Sequence, residues 1–114
     1  MDKQMIMQYI LDSIPYPIVF VDCAHVIRYI NKYADYHYHE ERGYPNLIGR
    51  SIFECHNEQS KEMILAGFEK IKKHSNEIFV GVTVKNHRIY MNPVRDEQGK
   101  LIGYFERYEL NLQK

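Results

Sequence analysis

The chain predicts an α+β fold: a five-stranded antiparallel sheet with helices on one face and an amphipathic helix at the N-terminus. Three observations carry this expectation. Ile18 to Asp22 reads as a strand, a tight turn follows, His25 to Ile30 reads as a second strand, and Asn31 stands where a helix must start. An Asn side-chain oxygen accepts from the free N–H groups of a first helical turn, so the switch from strand to helix is written locally. Further on, Ile64, Gly67, Phe68 and Ile71 recur at helical spacing within a helix expected from Asn57 to about Lys73. Last, three strand-like runs, Glu77–Val84, His87–Arg95 and Leu101–Leu110, are separated by short turns. Sequential hairpins make a sheet antiparallel.

The remaining elements follow in order. Met5, Ile6, Tyr9, Ile10 and Ser13 keep the spacing of three and four, giving a helix over 3–13 that Pro15 and Pro17 stop. Ile18 to Asp22 is apolar on both sides, as in a strand covered from two faces. Ile30, Tyr33, Ala34 and His37 share one face of the next helix, and 38–47, with Gly43, Pro45 and Asn46, reads as a loop. Ser51 to Cys55 fits one short helical turn. Lys70, Lys72, Lys73 and His74 crowd the end of the long helix, where the backbone dipole favours positive charge. Asn86 and Gly99 suit the positive φ of tight hairpin turns, and Pro93, with no N–H, belongs at an edge or an irregularity. The division expected is an N-terminal helix over 1–13 and one domain over 14–112, since 114 residues support a single core.

Composition narrows function. Fifteen basic and fifteen acidic residues cancel, which disfavours nucleic acid as a partner. No apolar run approaches a bilayer-spanning length, and the N-terminus lacks a secretory pattern, so a cytoplasmic protein without membrane attachment is expected. Cys23 and Cys55 read as reduced thiols, and two cysteines exclude a four-cysteine iron–sulfur site. No phosphate loop, nucleophile elbow or zinc motif is present, so no enzymatic role is expected. Ten tyrosines suit a partly polar cavity or an interface.

Three motifs resemble the PAS sensor family: Asp22-Cys23-Ala24-His25-Val26-Ile27-Arg28-Tyr29-Ile30-Asn31, then Leu47-Ile48-Gly49-Arg50-Ser51-Ile52, then the run from Pro93 through Asp96-Glu97-Gln98-Gly99 to Gly103. Their order and spacing are similar to a PAS fold over roughly residues 14–110. His25 stands where many members carry a turn glycine. Gly49 to His56, followed by Ser60, resembles PAS modules joined to hemerythrin-like domains. The resemblance implies a sensory signalling module that binds a small molecule between the long helix and the sheet, relaying it through a homodimer or a signalling partner. The alternatives are a ligand-free interaction module and a haem sensor.

Candidate ligand-binding residues are Tyr33, His37, Cys55, His56, Ile64, Gly67, Phe68, Ile71, Tyr90, Asn92 and Tyr104; Met5, Ile6, Tyr9 and Ile10 are the candidate dimer stripe. Gly67 costs about 1 kcal/mol against Ala inside a helix. Either its missing side chain makes room for a ligand, or it permits close packing. Cys55 and His56 point about 100° apart on a helix, so they do not pair directly, and a lone His is weak support for haem. Flavin is not expected, because Ser51 and Ile52 occupy the place of a light sensor's adduct cysteine. His37 and His39 lack a third metal ligand at useful spacing. Tyr104, Glu106 and Tyr108 share one face of their strand, as do Tyr90 and Asn92 of theirs. Which faces look inward is left open by sequence.

Overall fold

The structure is a computed structural model that describes residues 1–41, 43, 46–55, 58–73, 76–82 and 86–110. In chain order it places α1 (Lys3–Asp12), β1 (Val19–Asp22), β2 (Ile27–Ile30), α2 (Lys32–Asp35) running into a wider π-type turn (Tyr36–Glu41), a 3-10 turn (Ile52–Cys55), α3 (Glu58–Ile71), β3 (Ile78–Val82), β4 (His87–Arg95) and β5 (Leu101–Leu110). The strands form one antiparallel sheet in the order β2-β1-β5-β4-β3, with α3 packed against β3 and β4.

Asn31 does what its position predicts and more. It is fully buried. Its Oδ1 accepts from Ala34 N at 2.9 Å, capping α2, and from Ile18 N at 3.0 Å. Its Nδ2 donates to Leu11 O at 3.0 Å and Tyr16 O at 3.2 Å. One amide therefore fastens the end of α1, the connection to β1, and the start of α2.

The β1–β2 turn is held by Asp22, whose Oδ1 accepts from Ala24 N at 2.9 Å and Val26 N at 3.1 Å. Arg28 Nε donates to its Oδ2 at 2.8 Å. Burial would raise the Asp22 carboxyl, but the Arg28, Val26 and Ala24 donors outweigh it and hold it below its usual value. His25 takes φ 63° in this turn, the backbone state that a glycine adopts freely. The turn therefore delays β2 to Ile27. The outer edge of β2 is covered by the segment around Gly49: Gly49 N donates to Ile27 O at 2.7 Å, Ile27 N to Arg50 O at 2.9 Å, and Ile52 N to His25 O at 2.9 Å. Gly49 itself has φ 89°, so this glycine permits the bend.

Some expected positions shift. The helix after Asn31 does not stop at a loop from 38; it widens through Glu41, which alters its phase. Ala34 and Tyr38 are buried there, while Tyr33 is exposed and His37 is half-buried. α1 has no buried residue; its Asp12 Oδ1 accepts from Lys32 N at 2.8 Å at its C-terminal end. The Lys85 part of the β3–β4 turn lies outside the described residues, and Asn86 has φ 63° as expected. Pro93 falls past Met91, the last β4 residue paired to β3, where β4 has a strand on one side. Gly103 leaves no room for a side chain, since a Cβ there would meet the Val21 carbonyl and the Phe20 ring.

Candidate functional site

The chamber between α3 and the sheet is built from two periodicities. On α3, Ile64, Gly67, Phe68 and Ile71 are all buried. On the sheet, Met91 and Tyr104 are buried, and ladder partners place Glu106 opposite Met91 and Tyr108 opposite Ile89. Residues directly paired across an antiparallel ladder share a face. Tyr104, Glu106 and Tyr108 therefore look inward, with Val21, which pairs with Tyr104.

The same register sends Tyr90 and Asn92 outward, opposite Arg107 and Phe105. Strand alternation makes this unavoidable once Met91 is inside. Tyr90 and Asn92 thus stand on the far face of the sheet from the α3 chamber. Tyr90 belongs there to a charged surface cluster. Its hydroxyl donates to Glu109 at 2.9 Å, the Arg107 guanidinium lies 4.3 Å from its ring centroid, and Arg107 forks onto Glu77 with both contacts at 2.6 Å. That pairing holds the Glu77 carboxyl below its ordinary value.

Gly67 is a filled notch. A Cβ built there would lie 3.1 Å from Met91 Cε and 3.2 Å from Met91 Sδ, so the thioether occupies the space beside the glycine. Met63 of α3 likewise fills the space at Gly81 of β3. Helix and sheet interlock through two methionines, the side chains best able to shift. Gly67→Ala is therefore expected to change stability by no more than about 1 kcal/mol: the helix gains that much in propensity while Met91 is pressed aside. Urea unfolding of the variant measures it.

Next to α3's stripe, on the same face of the sheet, the π-type and 3-10 turns leave a hole of about 20 Å³ between Tyr38, Ile52, Val19 and the Tyr104–Glu106–Tyr108 face, with Pro17 and Val21 alongside. That is room for about one water. Two polar features distinguish this interior. His25 Nδ1 and the Tyr104 hydroxyl are hydrogen-bonded at 2.9 Å, and the imidazole packs on Phe68 and Phe53 with centroids at 4.7 and 5.1 Å. Burial lowers the His25 pKa, and burial raises that of Tyr104, so both are neutral near pH 7. The second is Glu106, whose carboxyl burial pushes up to about 7. No hydrogen bond or ion pair joins it to another described residue.

The expected site residues thus separate. Ile64, Gly67, Phe68, Ile71 and Tyr104 come together. Tyr33 is on the surface, and His37 packs edge-on against Tyr38 with centroids 5.0 Å apart. The Cys55 side chain and all of His56 lie outside the described residues. Met5, Ile6, Tyr9 and Ile10 are all exposed. His25, Tyr38, Met91, Glu106 and Tyr108 were not among the site residues expected from sequence. Alternation with Tyr104 was the signal for Glu106 and Tyr108; nothing local signalled Met91. A larger surface groove of about 520 Å³ runs between α1 and α2, past Asp12, Tyr29, Asn31 and Asp35.

An antiparallel sheet in this strand order, with short helices and one long one, defines an α+β module. A family profile described as PAS domain matches residues 7–108. The chain belongs to the PAS domain family. Among solved structures it is similar to the PAS domain of a protein from Colwellia psychrerythraea (18% identity, TM-score 0.68, covering 95% of this chain and 98% of that one). It is also similar to a sensory box sensor histidine kinase from Vibrio cholerae (15%, 0.65, covering 93% and 89%). A third is the Vibrio cholerae Aer2 receptor, described as a dual PAS-heme oxygen sensor (15%, 0.55, covering 85% and 94%). At these identities the likeness shows the fold. No curated protein sequence matches.

The hole of about 20 Å³ among the described residues admits no macrocycle or ring system, so it does not fit a haem or a flavin. Among the described residues no three His, Cys, Asp or Glu side chains cluster to hold a metal, and no helix is long and apolar enough to cross a membrane.

Proposed function

We propose that this chain is the sensing and relay part of a signalling protein, taking up a small molecule between α3 and the sheet. Its family makes it a sensory signalling module. The observation that carries ligand uptake is Glu106. A half-buried carboxyl joined to no described hydrogen-bond or ion-pair partner is costly, and a ligand that supplies the partner recovers that cost. Met91 lies opposite Glu106 in the ladder with its thioether in the Gly67 notch, so a ligand that displaces Met91 would couple occupancy to the packing of α3 on the sheet. The ligand shifts the module in proportion to its preference for one packing over the other. The exposed stripe of Met5, Ile6, Tyr9 and Ile10 on α1 would pass the change to a second copy or a partner.

A second reading is favoured by the filled notch: a ligand-free interaction module working through α1 and the outer sheet face. Native mass spectrometry of the purified chain separates the two. A retained small molecule, lost in Gly67→Leu while the far-UV spectrum is kept, is the expected result. An empty chain that is a stable dimer in solution supports the interaction module instead.

A further inference from the structure

The chemistry around Glu106 names the class of ligand, a step that rests on the chamber being a ligand site. Around the hole of about 20 Å³ stand one carboxyl, three phenols and apolar side chains, with no Lys, Arg or His among the described lining residues. An acid with no described base beside it repels anions and draws cations. The phenol rings of Tyr38, Tyr104 and Tyr108 favour the same sign, because an aromatic face attracts positive charge.

We propose that the chamber binds the protonated head of a small primary amine, with Glu106 as its counter-ion and Tyr38, Tyr104 and Tyr108 around it. Size selects the head group. A hole that fits one water also fits an –NH₃⁺, which spends its donors on a carboxylate and hydroxyl oxygens, and it excludes a trimethylammonium. The tail is selected by what adjoins. Val19, Val21 and Ile52 wall the hole, and Met91 lies directly opposite Glu106 in the β4–β5 ladder with its thioether in the Gly67 notch. A short alkyl chain extends into that notch when Met91 swings aside.

Protonation gives a signature that adventitious binding lacks. The ammonium requires an ionised Glu106, whose carboxyl titrates near pH 7 in the empty chamber. The titratable groups facing it are Tyr104 and Tyr108 of β5 and Tyr38 of the π-type turn, with His25 one hydrogen bond further through Tyr104. β4 and α3 present Met91, Ile64 and Phe68, which do not titrate. An alkylamine resembles Lys and stays charged below about pH 10. Affinity therefore falls about tenfold per pH unit below 7, through the protein's proton alone.

The test uses the 114-residue chain and propylammonium chloride, with propionate and 1-propanol as controls of equal chain length at matched ionic strength. Melting temperature and calorimetric titration are read at pH 8, 7, 6 and 5. Propylammonium is expected to raise the melting temperature at pH 8, to bind about tenfold more weakly at pH 6 than at its plateau, and to have no effect on Glu106→Gln. The pH series in the native chain keeps the test decisive if that variant does not fold. A response kept in Glu106→Gln, or undiminished down to pH 5 as at surface carboxylates, overturns the proposal. Stabilisation by propionate or propanol in place of the amine overturns the amine class and leaves a ligand chamber standing. Silence from all three probes, with an empty chain in native mass spectrometry, removes the chamber reading as well.

Discussion

Replacing Asn31 with Ala lowers the unfolding free energy by about 3–5 kcal/mol, a loss in the range left by a buried, multiply bonded polar group. The amide is fully buried and makes four hydrogen bonds, to Ile18 N, Ala34 N, Leu11 O and Tyr16 O. Truncation leaves those backbone groups without partners in a space that water reaches poorly, and each unsatisfied buried group costs about 1–3 kcal/mol. Part of that is recovered where Leu11 and Tyr16 near the surface find solvent, which is why the sum stays below the additive maximum. A helix cap alone is worth about 1 kcal/mol. Urea unfolding followed by far-UV circular dichroism distinguishes the cases: a loss near 1 kcal/mol means Asn31 is a cap and nothing more. Asp12→Ala is the control, because it removes one exposed acceptor from Lys32 N and should cost about 1 kcal/mol or less.

Asn31 also shows what was legible in the sequence. Its cap role is a local fact, readable from a strand followed by Asn and a helical period. Gly99 with φ 82° and Asn86 with φ 63° were legible for the same reason, since a tight turn states its own backbone requirement. So was the buried stripe of Ile64, Gly67, Phe68 and Ile71 on α3. The orientation of the last two strands was not. Each strand's alternation is local, but which set faces α3 depends on the hairpin register and on the irregularity between Val94 and Arg95. A shift of one residue would exchange Tyr90 and Asn92 with Met91. Tyr33 missed the interior because Ala34 and, one turn on, Tyr38 take the inner positions of that helix, which leaves Tyr33 beside the inner stripe and exposed. The content of the Gly67 notch was hidden for another reason: Met91 fills it from a different strand, and no spacing in α3 encodes a neighbour's rotamer.

Glu106→Gln is expected to stabilise the chain at pH 8 by about 2–3 kcal/mol and to leave it nearly unchanged at pH 4. The folded carboxyl titrates near 7, raised by burial from an ordinary value of 4.5. Its contribution to stability is therefore complete below about pH 4.5, declines as the pH rises, and is fully lost above 7, where the folded state must hold a desolvated charge. Gln keeps the volume and cannot ionise, so the gap between variant and native chain opens across pH 4.5–7 and then stays level. His25 runs the opposite way. Its depressed pKa makes the folded state more stable above 6.5 and less so as the pH falls, but that term is common to both proteins and cancels in the difference. Melting curves of the pair at each pH read the gap directly. A gap that is flat with pH would mean Glu106 reaches solvent freely or finds a donor among the residues around Tyr108, and the carboxyl would then have no charge deficit for a ligand to fill. A gap that opens as expected means the unliganded module carries a cost it would shed on meeting a cation. A cost in one state that vanishes in another is the differential free energy a sensor requires, whichever partner receives the signal.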